Sequence, residues 1–176
     1  MENVSINTRR LSLRPLQLAD ADRIQLLLGD WEVAKTLATI PHPYTHGMAK
    51  EWIRSGHKNK ERECFFRFAI VRQEDDMLIG GITLWNNTSD DGALVGYWLG
   101  KDYWGNEYMV EAVQAVIEIA FRTLKISCIW AACLQSNHQS GRVLEKVGFK
   151  HEYSYKQNLP ARNKIETLER YRLIKA

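Results

Sequence analysis

Two stretches of the chain carry residues whose types and spacing suit chemistry. The first, Trp98 to Leu124, reads WLGKDYWGNEYMVEAVQAVIEIAFRTL. An apolar run from Ala93 to Leu99 breaks at Gly100, and a short loop with a second glycine, Gly105, follows. Beyond it Met109, Val113, Val116, Ile117, Ala120, Phe121 and Leu124 recur at helical spacing, with Glu111, Gln114, Glu118, Arg122 and Lys125 opposite. A strand that ends at glycine and feeds a helix leaves several backbone N–H groups without intrahelical partners. Those donors and the positive end of the helix dipole suit a phosphate. The N–H groups of Trp104, Gly105, Asn106, Glu107, Tyr108, Met109 and Val110 are the candidate cradle. Glycine spacing alone also fits an ordinary strand–turn–helix unit, so a second stretch is needed to decide.

That stretch is Ser127 to Phe149, SCIWAACLQSNHQSGRVLEKVGF. A second apolar strand, Cys128 to Leu134, is followed by the helix-starting pair Ser136-Asn137. A short helix then carries Val143, Leu144 and Val147 on its apolar side and stops at Gly148. Together the two units resemble the acetyl-CoA-binding half of the GNAT superfamily of N-acetyltransferases. The branch they are most similar to is that of the ribosomal-protein N-terminal acetyltransferases (RimJ/RimL type). The resemblance rests on Gly96-Tyr97-Trp98-Leu99, on Tyr103-Trp104-Gly105 with Tyr108-Met109 and Glu111-Ala112, on Asn137 with Ser140, and on Leu144-Glu145-Lys146-Val147-Gly148-Phe149. The coarse pattern extends over nearly the whole chain.

The resemblance implies a cosubstrate, acetyl-CoA, and an amine acceptor, either a protein N-terminus or a small amine. It implies cosubstrate contacts from Trp98 and Leu99, from the 104–110 loop, and from Asn137, Ser140 and Lys146. Asn137 would meet the pantetheine arm and also serves as a helix N-cap. Ser140 would sit near the thioester sulfur and supply a hydrogen bond or proton to the departing thiolate. Leu99 would offer its N–H to the thioester carbonyl. Lys146, in a last helical turn, is either a phosphate contact or a solvated lysine. Two departures stand out: Glu107 occupies a position where the family usually has glycine or alanine, and Asp102 one where it often has glutamine or arginine. Glu107 must then turn to solvent or to Lys101 for the loop to hold an anion.

A general base is harder to assign. Relatives often have a glutamate where this chain has Leu94; Glu63, His46 and His138 are the remaining candidates, and none is singled out. That gap bears on the acceptor. A lysine side chain, with a pKa of about 10.4, costs about 4.6 kcal/mol to deprotonate at pH 7, whereas an α-amine at about 7.8 costs about 1.1 kcal/mol. An α-amine is the easier acceptor for an enzyme without a strong base. Trp31, Trp85 and Tyr97 are the proposed acceptor-binding residues, with Tyr44 and Trp52 as further candidate walls of the cleft. A small-molecule N-acetyltransferase acting on a polyamine or an antibiotic, and a non-catalytic acyl-CoA-binding domain, stay open as alternatives.

The elements that must position these residues follow from the pattern. Arg9 to Arg14 alternates and reads as a strand; Leu18 to Leu28 reads as a helix, Asp30 to Thr39 as the start of another, and Thr45 to about Ile53 as a third. Pro41-His42-Pro43-Tyr44 is a rigid loop. Cys64 to Val71 and Leu78 to Trp85 form a hairpin about Gln73 to Asp76, and two more strands, about Lys150 to Lys156 and Lys164 to Ile174, follow Phe149. The expectation is one α/β domain over 1–176: a mixed, mostly antiparallel seven-stranded sheet flanked by helices. The strands at Ala93 and Cys128, joined by a helix, run parallel, and the resemblance implies that they splay apart at the cosubstrate site.

Composition narrows the partners. A net charge of +3 without a Lys/Arg block argues against nucleic acid, and no apolar run approaches a membrane span. Three cysteines, Cys64, Cys128 and Cys133, lack metal spacing, so no metal is expected. Cys128 and Cys133 are five apart in one strand and should face opposite ways. A reducing cytoplasm fits this usage, with the chain a monomer or homodimer.

Overall fold

The computed structural model of the protein describes residues 4–55, 64–87 and 92–175. Among the described residues, eight strands form one sheet. They are β1 (Ile6–Asn7), β2 (Leu11–Pro15), β3 (Cys64–Arg72), β4 (Met77–Asn87), β5 (Gly92–Leu99), β6 (Cys128–Leu134), β7 (Lys150–Leu159) and β8 (Lys164–Ile174). The sheet order is β1-β2-β3-β4-β5-β6-β8-β7. Seven strands match the expected ones, and the eighth is the two-residue β1, too short to carry an alternation signal. Every neighbouring pair is antiparallel except β5 and β6.

Among the described residues, five α-helices connect them: α1 (Ala21–Gly29), α2 (Trp31–Ala34), α3 (Met48–Ser55), α4 (Tyr108–Arg122) and α5 (His138–Lys146). The helix expected from Leu18 begins as a 3-10 turn, Leu18–Asp20, and becomes α-helical at Ala21. The one expected from Asp30 is a single turn: Asp30 caps it by accepting from the Glu32 N–H at 2.8 Å. Thr45 does not start α3, which begins at Met48, just after Gly47 at φ 90°.

Alternation along each strand divides the apolar residues between two layers. On one face α4 buries Met109, Ala112, Val113, Val116 and Ala120 against Leu11, Leu13, Phe66, Phe68, Ile70 and Val95. On the other, Ile24 and Leu28 of α1 and Ala49 and Ile53 of α3 pack with Ala69, Val71 and Trp98. A residue on β5 therefore looks to α4 if it is Val95, Tyr97 or Leu99, and to the α1 side if it is Leu94, Gly96 or Trp98. Among the described residues, no helix is long and apolar enough to cross a membrane.

Candidate active site

The two parallel strands diverge. β5 and β6 are paired only at Gly92↔Cys128, Ala93↔Ile129 and Leu94↔Trp130, although they run on to Leu99 and Leu134. Their outer edges stay paired, β5 with β4 as far as Gly80↔Leu99 and β6 with β8 as far as Leu134↔Leu168. The Gly100 N–H donates to the Ile79 carbonyl at 2.9 Å. By alternation, Trp98 and Gly96 direct their backbone groups to β4, while Val95, Tyr97 and Leu99 direct theirs into the gap. The Leu99 carbonyl accepts from the Trp104 indole at 2.8 Å, leaving the Leu99 N–H aimed into the gap. Trp98, expected at the cosubstrate, is instead ring-buried under α1 with its backbone in the β4 ladder.

At the mouth of the gap lies the α4 N-terminus. Gly105 at φ 76° and Glu107 at φ 63° turn the chain so that the helix begins at Tyr108. The Glu111 N–H returns to the Glu107 carbonyl at 3.1 Å, so the N–H groups of Tyr108, Met109 and Val110 precede the first intrahelical bond. From the far side Arg10 braces this turn. Its guanidinium donates to the Asn106 carbonyl at 3.0 Å, pairs with Glu111 at 2.8 Å and lies over the Tyr108 ring. Burial pushes the Glu111 carboxyl up, but donors on Thr8 and Arg10 outweigh it and hold the group below the usual carboxylate range. The donor set fits a pyrophosphate. The Glu107 carboxylate is half-exposed to solvent, and the cation it pairs with is not Lys101 but Lys146, whose Nζ is 2.5 Å away. Lys146, foreseen as a phosphate contact or a solvated lysine, is engaged by Glu107.

Ser140 sits in the first turn of α5. Its N–H donates to Asn137 Oδ1 at 3.1 Å, the expected N-cap, and Asn137 Nδ2 donates to the Thr36 carbonyl at 3.2 Å. The Asn137 amide thus ties α5 to the segment after α2 while one of its two N–H groups is still available. Ser140 Oγ is 2.9 Å from the Tyr97 phenol. On the same face Cys133 shares a hydrogen bond with Ser140, and burial pushes its thiol up to about 11. Burial raises the Tyr97 phenol as well, its bond to Ser140 opposing the shift. All three groups keep their protons at neutral pH and face the gap from the α4 and α5 side. Tyr97, expected with the acceptor, belongs to this face instead, which the alternation along β5 encodes. Cys128 does point the other way, accepting from Arg172 Nε at 3.0 Å.

On the opposite face the Trp85 indole lies over Gly96: a Cβ there would come within 2.8 Å of Trp85 Cζ3. Trp31 is largely exposed, its ring 4.9 Å from that of His42. Trp52 carries the Arg67 guanidinium 4.8 Å from its ring centre. The structure therefore keeps Trp85 and Trp31 on the α1 side and separates Tyr97 from them. A cavity of about 790 Å³ opens between α1, the Tyr44–His46 loop and Lys101-Asp102. Its lining mixes Asp22, Asp30 and Asp102 with Arg23 and Lys101. Burial pushes the Tyr44 phenol in its wall up to about 12. Leu94 is half-buried, His46 lines the cavity, His138 is exposed, and Glu63 lies outside the described residues. No cluster of metal-ligating side chains occurs among the described residues.

This arrangement has known counterparts. The acetyltransferase (GNAT) domain family matches residues 10–150. The uncharacterized N-acetyltransferase YnaD of Bacillus subtilis (strain 168) is 28% identical over 159 residues, 90% of this chain and 89% of its own. The ribosomal protein uS5-alanine N-acetyltransferase of Escherichia coli (strain K12) is 27% identical over 158 residues, 85% of this chain and 79% of its own. Among solved structures, RimL, a ribosomal L7/L12 α-N-protein acetyltransferase in complex with coenzyme A joined by a disulfide to one of its cysteines, has a TM-score of 0.82. It is 18% identical, and the match covers 97% of this chain and 98% of that one.

Proposed function

This chain belongs to the GNAT acetyltransferase family, and from that premise we propose that it transfers the acetyl group of acetyl-CoA to the α-amine of a polypeptide N-terminus. Attack is direct, with both substrates bound together. The observation that carries this reading is the gap between β5 and β6, flanked by the α4 N-terminus and by Ser140.

Acetyl-CoA supplies an activated acyl group on a thiol leaving group. The N–H groups at Tyr108, Met109 and Val110 hold its pyrophosphate, and the freed edge of β5 takes the pantetheine arm as a strand would. The Leu99 N–H donates to the acyl oxygen as charge builds there. Ser140, held by its hydrogen bond with the Tyr97 phenol, gives its hydroxyl proton to the sulfur as the carbon–sulfur bond breaks, and the proton that the acetylated nitrogen sheds to solvent restores the Ser140 hydroxyl. The positive end of α5 favours the negative charge that develops beside it.

The amine enters from the other face, beside Gly96. Among the described residues no carboxylate or histidine stands beside Gly96 as an evident base. An acceptor that is already substantially neutral suits such a site, and an α-amine is one. The relatives that act on ribosomal-protein N-termini support this reading. The mixed charge of the neighbouring cavity does not favour a polyamine.

A panel of N-terminally free peptides, N-terminally blocked lysine peptides and polyamines, assayed for release of free CoA, tests the proposal. Turnover of the first class alone is expected; turnover confined to lysine peptides or polyamines overturns it. The position of the thiol is tested separately with the symmetric disulfide of coenzyme A. Exchange at Cys133, with one CoA thiol leaving, should add one CoA mass to that residue at alkaline pH and far more slowly near neutrality, because Cys133 adjoins Ser140 but burial raises its thiol to about 11.

A further inference from the structure

Ala132 is exposed although it lies in the middle of β6, a strand whose other six residues are all buried. Its side chain faces the α1 side, where α1 and α3 cover β3 and β4 and, among the described residues, leave this part of the sheet open. On this face Gly96 and Ala132 are the first residues on either lip of the gap beyond the last paired residues, Leu94 and Trp130. An amine aimed at the gap from this side must cross them. Directly opposite Ala132 on β8 is Arg170, and opposite Trp130 is Arg172; cross-strand partners share a face.

Arg170 is held in place. Its guanidinium lies 5.4 Å from the Trp130 ring centre and 5.9 Å from that of Tyr153, and pairs with Glu152 at 3.3 Å. Arg172 stacks on the same indole at 5.6 Å and reaches the same carboxylate at 3.6 Å. Two guanidinium groups thus share one carboxylate, and a positive charge is left over on the wall of the open groove. Arg170 is still 30% exposed, enough to meet a ligand.

We infer that this open face is the acceptor groove and that Arg170 selects N-termini with a carboxylate side chain at the second or third residue. The inference rests on the α-amine reading above and names the acceptor's charge. β8 lies one inter-strand spacing, about 4.8 Å, beyond β6, and an extended peptide advances about 3.3 Å per residue. A carboxylate one or two residues from the amine therefore reaches the guanidinium.

The test compares kcat/KM for three peptides of equal length that share an N-terminal alanine and carry Glu, Gln or Lys at the second and third positions. Acidic over neutral over basic is expected, with about a fivefold span for one partly exposed charge contact. Arg170→Glu should invert the order while stabilisation by acetyl-CoA, which does not touch this face, stays the same. Arg170→Lys should retain the order. If Arg170→Glu does not fold, Arg172→Glu, which shifts the same local charge, should flatten the order. Peptides turned over without regard to charge, or an acidic preference that survives Arg170→Glu, overturn the inference and leave the α-amine reading standing. Turnover of small amines with no turnover of any peptide overturns both. A dimer that Arg170→Glu splits, with the peptide order unchanged, assigns the face to a second copy and overturns the inference.

Discussion

Substitution of Glu107 separates a backbone effect from a charge effect in the phosphate cradle. The residue holds φ 63° and ψ 10° at the start of α4, and its carboxylate is bonded to Lys146. A side chain in the left-handed region costs about 1–2 kcal/mol, and glycine's extra freedom in the unfolded chain returns about 0.5–1 kcal/mol of that. The ion pair is half-exposed on both sides, 54% and 53%, and so contributes about 1 kcal/mol or less. Glu107→Gln removes the charge and keeps the strained backbone; Glu107→Gly removes both. The Gly variant should therefore be the more stable of the two by about 0.5–1 kcal/mol, a difference of about 1–4 °C in Tm for a chain of this size. Both variants free the Lys146 ammonium beside the cradle, so both should bind acetyl-CoA more tightly. A gain of about 1 kcal/mol is about fivefold in Kd, shrinking as salt screens it. Thermal melts and calorimetric titrations at low and high salt read the two effects. Equal stability of the two variants refutes the backbone argument, and weaker binding by both refutes the charge argument.

Ser140→Ala should lower kcat about ten- to a thousandfold with little change in acetyl-CoA affinity, and less with a thioester of a more acidic thiol; an unchanged kcat on a step limited by chemistry would remove Ser140 from the reaction. Tyr97→Phe should lower kcat less, since Ser140 keeps its own hydroxyl proton for the first transfer, and single-turnover kinetics would show that difference. Acetyl-CoA at a hundred times its Kd should stabilise the protein by about 2.7 kcal/mol in a thermal melt, whereas adenosine should not. With Tyr97 raised and Cys133 pushed up to about 11, neither titrates near neutrality; kcat/KM should therefore rise with pH through the acceptor's own pKa, about 7.8 for an α-amine, and level off above it.

Much of the site was legible because its signals are local. The helical spacing from Met109 onward, the glycines at Gly100 and Gly105, the Asn137 cap and the stop at Gly148 each specify their own segment, and the parallel pairing of β5 with β6 follows from the helix between them. What escaped depends on contacts distant in sequence. Glu107 meets Lys146 only because α5 returns beside the α4 N-terminus, so nearby Lys101 was the natural but wrong partner. Aromatic type alone groups Tyr97 with the tryptophans, whereas its side of β5 sets it apart from them. The start of α3 moved from Thr45 to Met48 because Gly47, not a capping side chain, sets the turn. Arg170 gave no sequence signal at all: it meets Ala132 only through the insertion of β8 between β6 and β7.

That insertion has a consequence for how the molecule assembles. β7 precedes β8 in the chain yet sits outside it, so β7 has no strand to pair with until β8 arrives, and β6 has only the short contact with β5. Zipping the segment Lys164–Ile174 into the slot makes two antiparallel ladders at once, one to each side. Before that event β6 lacks the support that holds it away from β5, and the gap has no fixed width. Any change that pulls β8 out of the sheet therefore loosens the site and bares the edges of β6 and β7, which are then open to pairing with other chains.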